Sequence, residues 1–337
     1  MRNLETAAKS VAFIGFSANP EIVIETNRLD ESEKAPLGEM KCELGGTSSN
    51  VALAMARMGL PTTLYTLSGC NGDFFTHSFR YAIKHADERI NVVDFPVLEH
   101  GHMAFIPIDG LKRKSQVFGY KGKIQQEKVA EHLETIKKDS QENVWRIATG
   151  VRTSEVELVK ALFGENHLGY RYLNPKMELI ESKEIFFSLL KQTDILVVND
   201  EEYAACVKNL GICSGSYMHT RFGISLVVIT KDERGGEFSL VNKVVNVKQK
   251  FDAYTGFITE GSEIHQTSAG DWFAGALVGS LFETGKSSLE INEEEITNAI
   301  YFATKVSGKK VTMPGSSNGP NENDLKCMKE ERLREVS

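Results

Sequence analysis

The stretch TSAGDWFAGAL, residues 267–277, places small residues and one carboxylate directly before an apolar helical pattern. Small side chains leave backbone N–H groups uncovered, and the first turn of a helix points those groups and the positive end of its dipole forward. Such a helix start is an anion site. A carboxylate at this position, Asp271, would repel a bound phosphate. A carboxylate is suited to this position if it accepts the proton of a hydroxyl group that attacks the phosphate.

A second glycine site precedes another helical pattern near the start of the chain. Gly45 and Gly46 are adjacent, and Ser48 to Asn50 can cap a helix over residues 51–58 that stops at Gly59. Two adjacent glycines let a ligand approach the backbone closely. A turn before a helix explains the pair equally well, so this motif alone decides nothing.

Polar residues follow an apolar strand pattern at residues 197–203. Ligands of open α/β sheets lie beyond the carboxyl ends of the strands, where Asn199 and Glu202 fall. The same spacing is also that of a capping box, in which Asn199 caps the helix and Glu202 reaches back to it. Both interpretations stay open.

Composition and charge exclude several classes of protein. The 337 residues carry a net charge of -7, which argues against a nucleic-acid-binding protein. No run of about 18 apolar residues predicts a membrane span, and Met1 to Ser10 have no apolar signal core. Five scattered cysteines without a CxxC pair indicate reduced thiols in the cytoplasm, and the dispersed histidines do not suggest a metal site.

Two kinds of strand pattern indicate an α/β fold with an additional small sheet. Continuous apolar runs alternate with helical patterns, which is typical of a doubly wound, mostly parallel sheet with helices on both faces. They lie at residues 11–15, 62–67, 144–148, 172–173, 195–198 and 226–229. Residues 21–25 and 40–44 alternate instead, as do two segments that flank Asp109-Gly110, a hairpin signal.

These alternating segments predict a separate small β-sheet, built from residues 21–44 and 99–120. The tail from Ser316 onward is polar, and we expect it to be loosely held.

Two nucleotide-binding motifs are absent. Gly285-Lys286 lacks the earlier glycine and the preceding strand of a P-loop, and no GxGxxG follows a strand.

Four motifs in order resemble those of the ribokinase-like carbohydrate kinases of the phosphofructokinase-B type. They are GGTSSN with its alanine-rich helix (residues 45–59), a G-x-x-G-D run (69–73), N-x-x-E (199–202) and HQTSAGD (265–271). The resemblance covers nearly the whole chain. It implies one kinase domain over residues 1–337, with a lid formed by about residues 19–44 and 99–120.

The resemblance also implies a mechanism and its cofactors. Asp271 would be the general base, and the backbone of Ser268, Ala269 and Gly270 would hold the charge that develops on the γ-phosphate of ATP. Mg²⁺ would be held largely through water, supported by Asn199 and Glu202. The nucleotide would contact Asn199, Thr230 and Gly235.

On the acceptor side, the resemblance assigns substrate contacts to residues near the first strand and the double glycine, namely Asn19, Glu21, Gly45, Gly46 and Asn50. Glu21 stands where the family often has an aspartate that binds sugar hydroxyls, although it also fits an exposed strand charge. Arg152 follows a strand of the sheet, so it can meet a charged substrate or lie in solvent.

Two positions depart from the family pattern. His265 and Gln266 replace the usual Asp and Thr, and in many members that aspartate helps to bind a monovalent cation. A histidine does not supply a hard anionic oxygen, so the sequence does not support potassium activation. Asp232 replaces the usual glycine after the strand on the nucleotide side.

We therefore expect a cytoplasmic, ATP- and Mg²⁺-dependent kinase that phosphorylates a primary hydroxyl of a sugar or a sugar-like compound. Two alternatives remain: a nucleoside kinase, and a catalytically silent member that binds a metabolite or nucleotide. A homodimer through the lid is expected, since the exposed faces of alternating strands need cover. No nucleic acid or membrane partner is expected.

Overall fold

Strands account for two separate sheets in the computed structural model, which describes residues 12–335 apart from 27–36, 70–72, 110–113, 116–117, 140–144, 165–169, 212–214, 260–262 and 288. The strands are β1 (Ala12–Phe16), β2 (Asn19–Thr26), β3 (Leu37–Gly45), β4 (Thr62–Gly69), β5 (Ile90–Leu98), β6 (Met103–Asp109), β7 (Lys114–Ser115), β8 (Phe118–Tyr120), β9 (Trp145–Val151), β10 (Arg171–Pro175), β11 (Ile195–Asn199), β12 (Leu226–Thr230), β13 (Gly236–Val241) and β14 (Asn246–Phe251).

Helices follow most strands of the larger sheet. They are α1 (Thr47–Arg57), α2 (Phe74–Ala86), α3 (Gln126–Asp139), α4 (Val156–Phe163), α5 (Met177–Glu181), α6 (Lys183–Leu190), α7 (Asp200–Leu210), α8 (Gly215–Phe222), α9 (Ala269–Glu283), α10 (Glu293–Lys310) and α11 (Glu322–Glu335).

The larger sheet has nine strands in the order β14-β13-β12-β11-β10-β9-β1-β4-β5. The seven strands from β12 to β5 are parallel, and their apolar side chains contribute to two buried clusters. This confirms the predicted α/β class. It also explains the continuous apolar runs, because a strand covered on both faces has no wet side.

One edge of this sheet differs from the expectation. After β12 the chain turns back through a tight turn closed by Gly235, and β13 and β14 pair antiparallel. The apolar pattern of the sequence does not predict these two strands. Side chains of β14 alternate between exposed and partly buried, as expected for a solvent-facing edge strand.

The smaller sheet has the order β3-β2-β6-β7, with β8 also paired to β6. It is built from the segments that alternate in sequence, and α2 packs against β2 and β3. The β6 strand pairs antiparallel with β7 and β8, as the hairpin signal predicts, although Gly110 lies outside the described residues. The pair β2–β6 is parallel, which the alternation could not show.

The C-terminal tail corrects one expectation. Ser316 is only 2% exposed, and Leu325 and Met328 on α11 are buried in the core. The Arg57 guanidinium donates to the carbonyl oxygens of Gly319 and Pro320, at 2.7 and 3.2 Å. The tail is therefore attached to the domain, because two apolar residues three positions apart provide one buried face on an otherwise polar helix.

No helix in the described part of the chain is both long and apolar enough to span a membrane. Among the described cysteines, Cys42, Cys206 and Cys327 are free thiols. Cys70, Cys213 and the segment from Met1 to Ser10 lie outside the described residues.

Candidate active site

The first turn of α9 carries the carboxylate that the sequence singles out. Ser268 precedes the helix in the left-handed conformation, with φ of 64°, and its carbonyl accepts from Trp272 N–H at 3.0 Å. The Ala269 N–H donates to the carbonyl of Gln266 at 3.2 Å. Neither the Gly270 nor the Asp271 N–H bonds to a described residue, so these two groups are the donors open to an anion.

The start of α1 is held by a network of buried hydroxyls. Ser48 Oγ accepts from Ser17 N–H at 3.0 Å and lies 2.9 Å from Thr149 Oγ1, at the end of β9. Gly46 caps the helix with φ of 89°, and a Cβ there would lie 2.6 Å from the Ser17 carbonyl oxygen. The double glycine therefore has a structural reason, which is the close approach of two backbones.

Close packing of α1 on α9 brings the two helix starts together. A Cβ on Gly275 would lie 2.6 Å from Ala54 Cβ and 3.1 Å from the Val51 carbonyl oxygen, so only glycine allows this approach. As a result, Asn50 Nδ2 donates to Asp271 Oδ2 at 2.9 Å, across 221 positions of sequence.

Asp271 lies in an environment suited to accept a proton. Burial raises the pKa of Asp271, while the Asn50 hydrogen bond and the charges of Lys176 and Lys310 act in the opposite direction. A carboxyl whose pKa is raised binds a proton more tightly than an ordinary aspartate. Such a group is a better general base at neutral pH, provided that it remains ionised.

The acceptor-side residues meet where β2 pairs with β3, in the register Asn19–Gly45. Glu21 is 8% exposed, and the Ser316 hydroxyl donates to its Oε2. A Cβ on Gly45 would lie 2.1 Å from Glu21 Oε1, so the glycine makes room for this carboxylate. Glu21 is thus not an exposed strand charge.

Burial raises the pKa of Glu21 to about 7. The Ser316 hydrogen bond lowers it, and the negative charges of Glu43 and Asp271 raise it. At neutral pH this carboxyl is partly protonated, and so it can both donate and accept a hydrogen bond. Asn19 is half-buried and its Nδ2 donates to the carbonyl of Pro20 at 3.1 Å.

Asn199 and Glu202 form the capping box of α7. Asn199 N–H donates to Glu202 Oε2 at 2.9 Å, and Glu202 N–H donates to Asn199 Oδ1 at 2.8 Å. Burial raises the pKa of Glu202, and the Lys176 charge lowers it. Because Lys176 also acts on Asp271, it links the two ends of the site. The capping interpretation is confirmed, and it leaves a role in metal binding open.

The residues present fit Mg²⁺ as an outer-shell ligand set. Among the described residues no group of three His, Cys, Asp or Glu side chains could hold a metal ion. Mg²⁺ usually keeps several waters and binds one or two carboxylates together with substrate phosphates. The buried carboxylate of Glu202 beyond the end of β11 suits that role.

A cleft lies in front of the α9 start. It encloses about 880 Å³, including open solvent, and its lining includes Thr230, Gly235, Ala269 and Gly270. Gly235 has φ of 74°, and a Cβ there would lie 2.0 Å from the Phe251 carbonyl oxygen. Asn199 does not line the cleft, although its strand neighbour in register is Thr230.

Asp232 also lines this cleft and adopts a positive φ of 49°. Glycine reaches this conformation without strain, which fits the glycine that the resemblance implies at this position. Aspartate is among the residues that tolerate it best. The departure at this position therefore preserves the backbone path.

Sequence reasoning missed four polar residues of the site. Lys176 follows β10, Glu43 lies on β3, Lys310 ends α10, and Ser316 lies in the tail. A lysine at the end of a helix is ordinarily a solvated group that complements the dipole. Only the burial of Lys310, which is 0% exposed, reveals its place in the interior.

The fold and this site define a class of enzyme. A doubly wound sheet with a small second sheet, a helix start open to an anion, and a carboxylate of raised pKa beside it are suited to phosphoryl transfer. The profile of the pfkB family carbohydrate kinases matches residues 9–324. The chain belongs to that family and is a carbohydrate kinase.

Individual relatives are similar in sequence or in fold. Ribokinase of Staphylococcus aureus (strain COL) is 26% identical over 317 residues, which are 87% of this chain and 87% of that protein. The Methanocaldococcus jannaschii nucleoside kinase structure has a TM-score of 0.67 at 15% identity and covers 96% of this chain and 98% of its own.

A third similar structure is that of phosphofructokinase-2 from Escherichia coli in complex with potassium. Its TM-score is 0.69 at 14% identity, with 96% of this chain and 99% of that chain covered. At such identities, the two structural matches show the fold only.

Proposed function

We propose that this chain transfers the γ-phosphate of ATP to a hydroxyl group of a sugar or a sugar-like compound. We interpret this hydroxyl as a primary one. The observation that carries the proposal is the hydrogen bond of 2.9 Å between Asn50 and Asp271. It joins Asn50, in the first turn of the helix that follows the acceptor-side glycines, to the carboxylate at the anion-binding helix start. Acceptor and phosphate therefore meet at one carboxylate.

In the proposed reaction, Asp271 Oδ takes the proton of the acceptor hydroxyl as its oxygen attacks the γ-phosphorus in line. Asn50 holds Asp271 in one orientation. The N–H groups of Gly270 and Asp271 stabilise the charge that develops on the phosphoryl oxygens, with Ser268 and Ala269 shaping the turn. ADP leaves with the electron pair of the broken P–O bond.

Mg²⁺ would neutralise the phosphate charges, held through water near Glu202 and Asn199. The chain's own residues bind the nucleotide in the cleft that Thr230 and Gly235 line. The cleft and Asp271 both lie at the first turn of α9. ATP therefore binds on one side of this turn, and the proton is transferred on the other side.

The acceptor would lie between the larger sheet and the smaller sheet, which we propose is a lid of one kinase domain. Asn19, Glu21, Gly45 and Gly46 lie where β2 and β3 join the domain. A carboxyl of pKa about 7 and a half-buried amide suit neutral polyhydroxyl compounds. The nucleoside kinase similarity keeps nucleosides as the second class to test.

The mechanism is tested by Asp271→Asn, with the product measured by transfer of labelled γ-phosphate to a panel of sugars, sugar acids and nucleosides. Loss of the base is expected to lower kcat by about 10²–10⁴-fold, while ATP affinity is retained. Asp324→Asn, in the first turn of α11, makes the same chemical change away from the site and serves as control.

Two outcomes would contradict the proposal. Retained turnover in Asp271→Asn would show that another group is the base. Binding of ATP and acceptor by the wild type without any transfer would instead favour the silent, ligand-binding alternative.

A homodimer through the lid is a further part of the proposal. Met40 on β3 is 66% exposed, and Phe118 and Tyr120 on β8 are 50% and 42% exposed. Apolar side chains on a sheet face favour burial against a partner.

Light scattering at micromolar concentration should give twice the chain mass for the wild type and one chain mass for Phe118→Lys. The control Val244→Lys changes a position that is 58% exposed in the turn between β13 and β14 of the larger sheet. A monomeric wild type would refute this part.

A further inference from the structure

A buried ammonium group lies beside the base. Lys310, the last residue of α10, is 0% exposed. Its Nζ donates to the carbonyl oxygens of Met313 at 3.0 Å and Gly315 at 2.8 Å. No carboxylate of the described residues lies within ion-pair distance of it. The ammonium group of Lys310 is therefore bound by backbone carbonyl oxygens of the loop at residues 313–315.

Three carboxyl groups surround this ammonium at longer range. Burial lowers the pKa of Lys310 to about 8, and the charges of Asp271, Glu43 and Glu21 raise it. The same ammonium lowers the pKa of Asp271 and of Glu43. At neutral pH the Lys310 amine is mostly protonated. Its positive charge therefore interacts both with Asp271 and with the carboxyl groups on the acceptor side, Glu21 and Glu43.

His265 lies next to this group. Its N–H donates to the carbonyl of Val311 at 2.7 Å, and its Nε2 is 3.5 Å from Glu263 Oε2. Burial and the Lys310 charge both lower the pKa of His265. By resemblance to the family, the position of His265 belongs to a carboxylate that helps to bind a monovalent cation.

The residues present do not fit a potassium or sodium ion at this place. The imidazole offers nitrogen where such ions prefer anionic or carbonyl oxygen, and carbonyl oxygens of the 313–315 loop are already bonded to the ammonium. A second cation close by would be repelled by the first.

We propose that the Lys310 ammonium is a built-in replacement for a monovalent cation, so that phosphoryl transfer by this chain does not depend on potassium or sodium. This rests on the proposed kinase function. Lys310 is a positioning residue: it holds the 313–316 loop, whose Ser316 bonds Glu21, and it keeps Asp271 ionised through its charge.

The wild type gives the first test. Initial rates and melting temperatures are measured at constant ionic strength in the chlorides of potassium, sodium and tetramethylammonium. Rates are expected to agree within about twofold, and melting temperatures in the three salts should coincide. A saturable activation by potassium of roughly fivefold or more would overturn the proposal.

Two variants give the second test. Lys310→Met keeps the length of the side chain and removes the charge that lowers the pKa of Asp271, so the acid limb of the kcat/KM profile should move to higher pH and kcat/KM below that limb should fall. Lys305→Met is the control, because Lys305 is 1% exposed on the same helix but bonds Glu331 at 2.9 Å. The acid limb of the kcat/KM profile of Lys305→Met should lie at the same pH as that of the wild type.

Lys310→Ala leaves space for a replacement ion. Potassium or methylammonium should raise its melting temperature and partly rescue its rate relative to tetramethylammonium, whereas the wild type should not respond. Unchanged behaviour of Lys310→Ala in all salts, with a wild-type acid limb in Lys310→Met, would overturn the proposal.

Failure of the kinase proposal would look different. A wild type without transfer to any acceptor in any salt contradicts the proposed function. The melting temperatures still test Lys310 in that case, because they need no turnover. If Lys310→Ala and Lys310→Met do not fold, the wild-type salt comparison alone decides.

Discussion

Replacing Glu21 by Gln should make the protein's stability depend less on pH. Glu21 is 8% exposed, and burial together with Glu43 and Asp271 raises its pKa to about 7, against an ordinary value of 4.5 and despite the Ser316 hydrogen bond. Between these two pH values the folded chain holds a proton that the unfolded chain has released. The free energy of unfolding therefore falls as pH rises through this window and levels off above about pH 7.

The magnitude follows from the two pKa values. Linkage between pH 5 and pH 7.5 gives a loss of roughly 2–3 kcal/mol in the free energy of unfolding from this one group. Gln cannot ionise, so it does not carry this loss. The difference in stability, Glu21→Gln minus wild type, should move in favour of the variant by that amount over the same range. At pH 7.5 Lys310, with a pKa of about 8, is still mostly protonated.

Urea unfolding at both pH values, followed by circular dichroism, measures this difference. Glu134→Gln on α3 is the control, because that side chain is 82% exposed and should show no such change. If the difference between Glu21→Gln and wild type stays constant within about 0.5 kcal/mol, Glu21 does not change its ionisation on folding, and the assigned burial cost is wrong.

Further substitutions test how the scaffold builds the site. Gly275→Ala should cost about 1–3 kcal/mol of stability and lower kcat, because the methyl group would push α1 from α9; urea unfolding and initial rates check this. Gly279→Ala on the same helix should cost less, since the nearest atoms belong to the flexible side chain of Met58. Asn199→Ala should lose about 1 kcal/mol from the α7 cap, and a raised KM for MgATP beyond that, measured by ATP titration, would assign a role in metal binding to the pair with Glu202.

The fold class could be predicted because the two sheets differ in their hydrophobic pattern. Strands such as β12 are buried on both faces and read as continuous apolar runs, while residues 103–106 of β6 in the smaller sheet alternate between partly buried and buried side chains. The edge strands β13 and β14 could not be found that way. Their direction depends on the turn at Gly235, which a pattern of apolar residues does not encode.

The candidate site was predicted only where the chemistry is local. The motif around Asp271 and the capping box at Asn199 each lie within a few residues, so spacing alone reveals them. The contact of Asn50 with Asp271 spans 221 positions and depends on the packing at Gly275. Lys310 and Ser316 could not be recognised, because their residue types are ordinary surface residues and only their interior position places them at the candidate site.

The distribution of buried charge follows from this architecture. Asp271 and Asn50 lie on helices packed on the larger sheet, whereas Glu21 lies on the smaller sheet and is bonded to the C-terminal loop. Lys310 bonds that same loop and acts electrostatically on Asp271 and Glu21. Movement of the smaller sheet relative to the larger one would therefore change the distances among these charges. In our proposal that the smaller sheet is a lid, closure over the acceptor should therefore change the pKa of Lys310, on which the charges of Glu21 and Glu43 act.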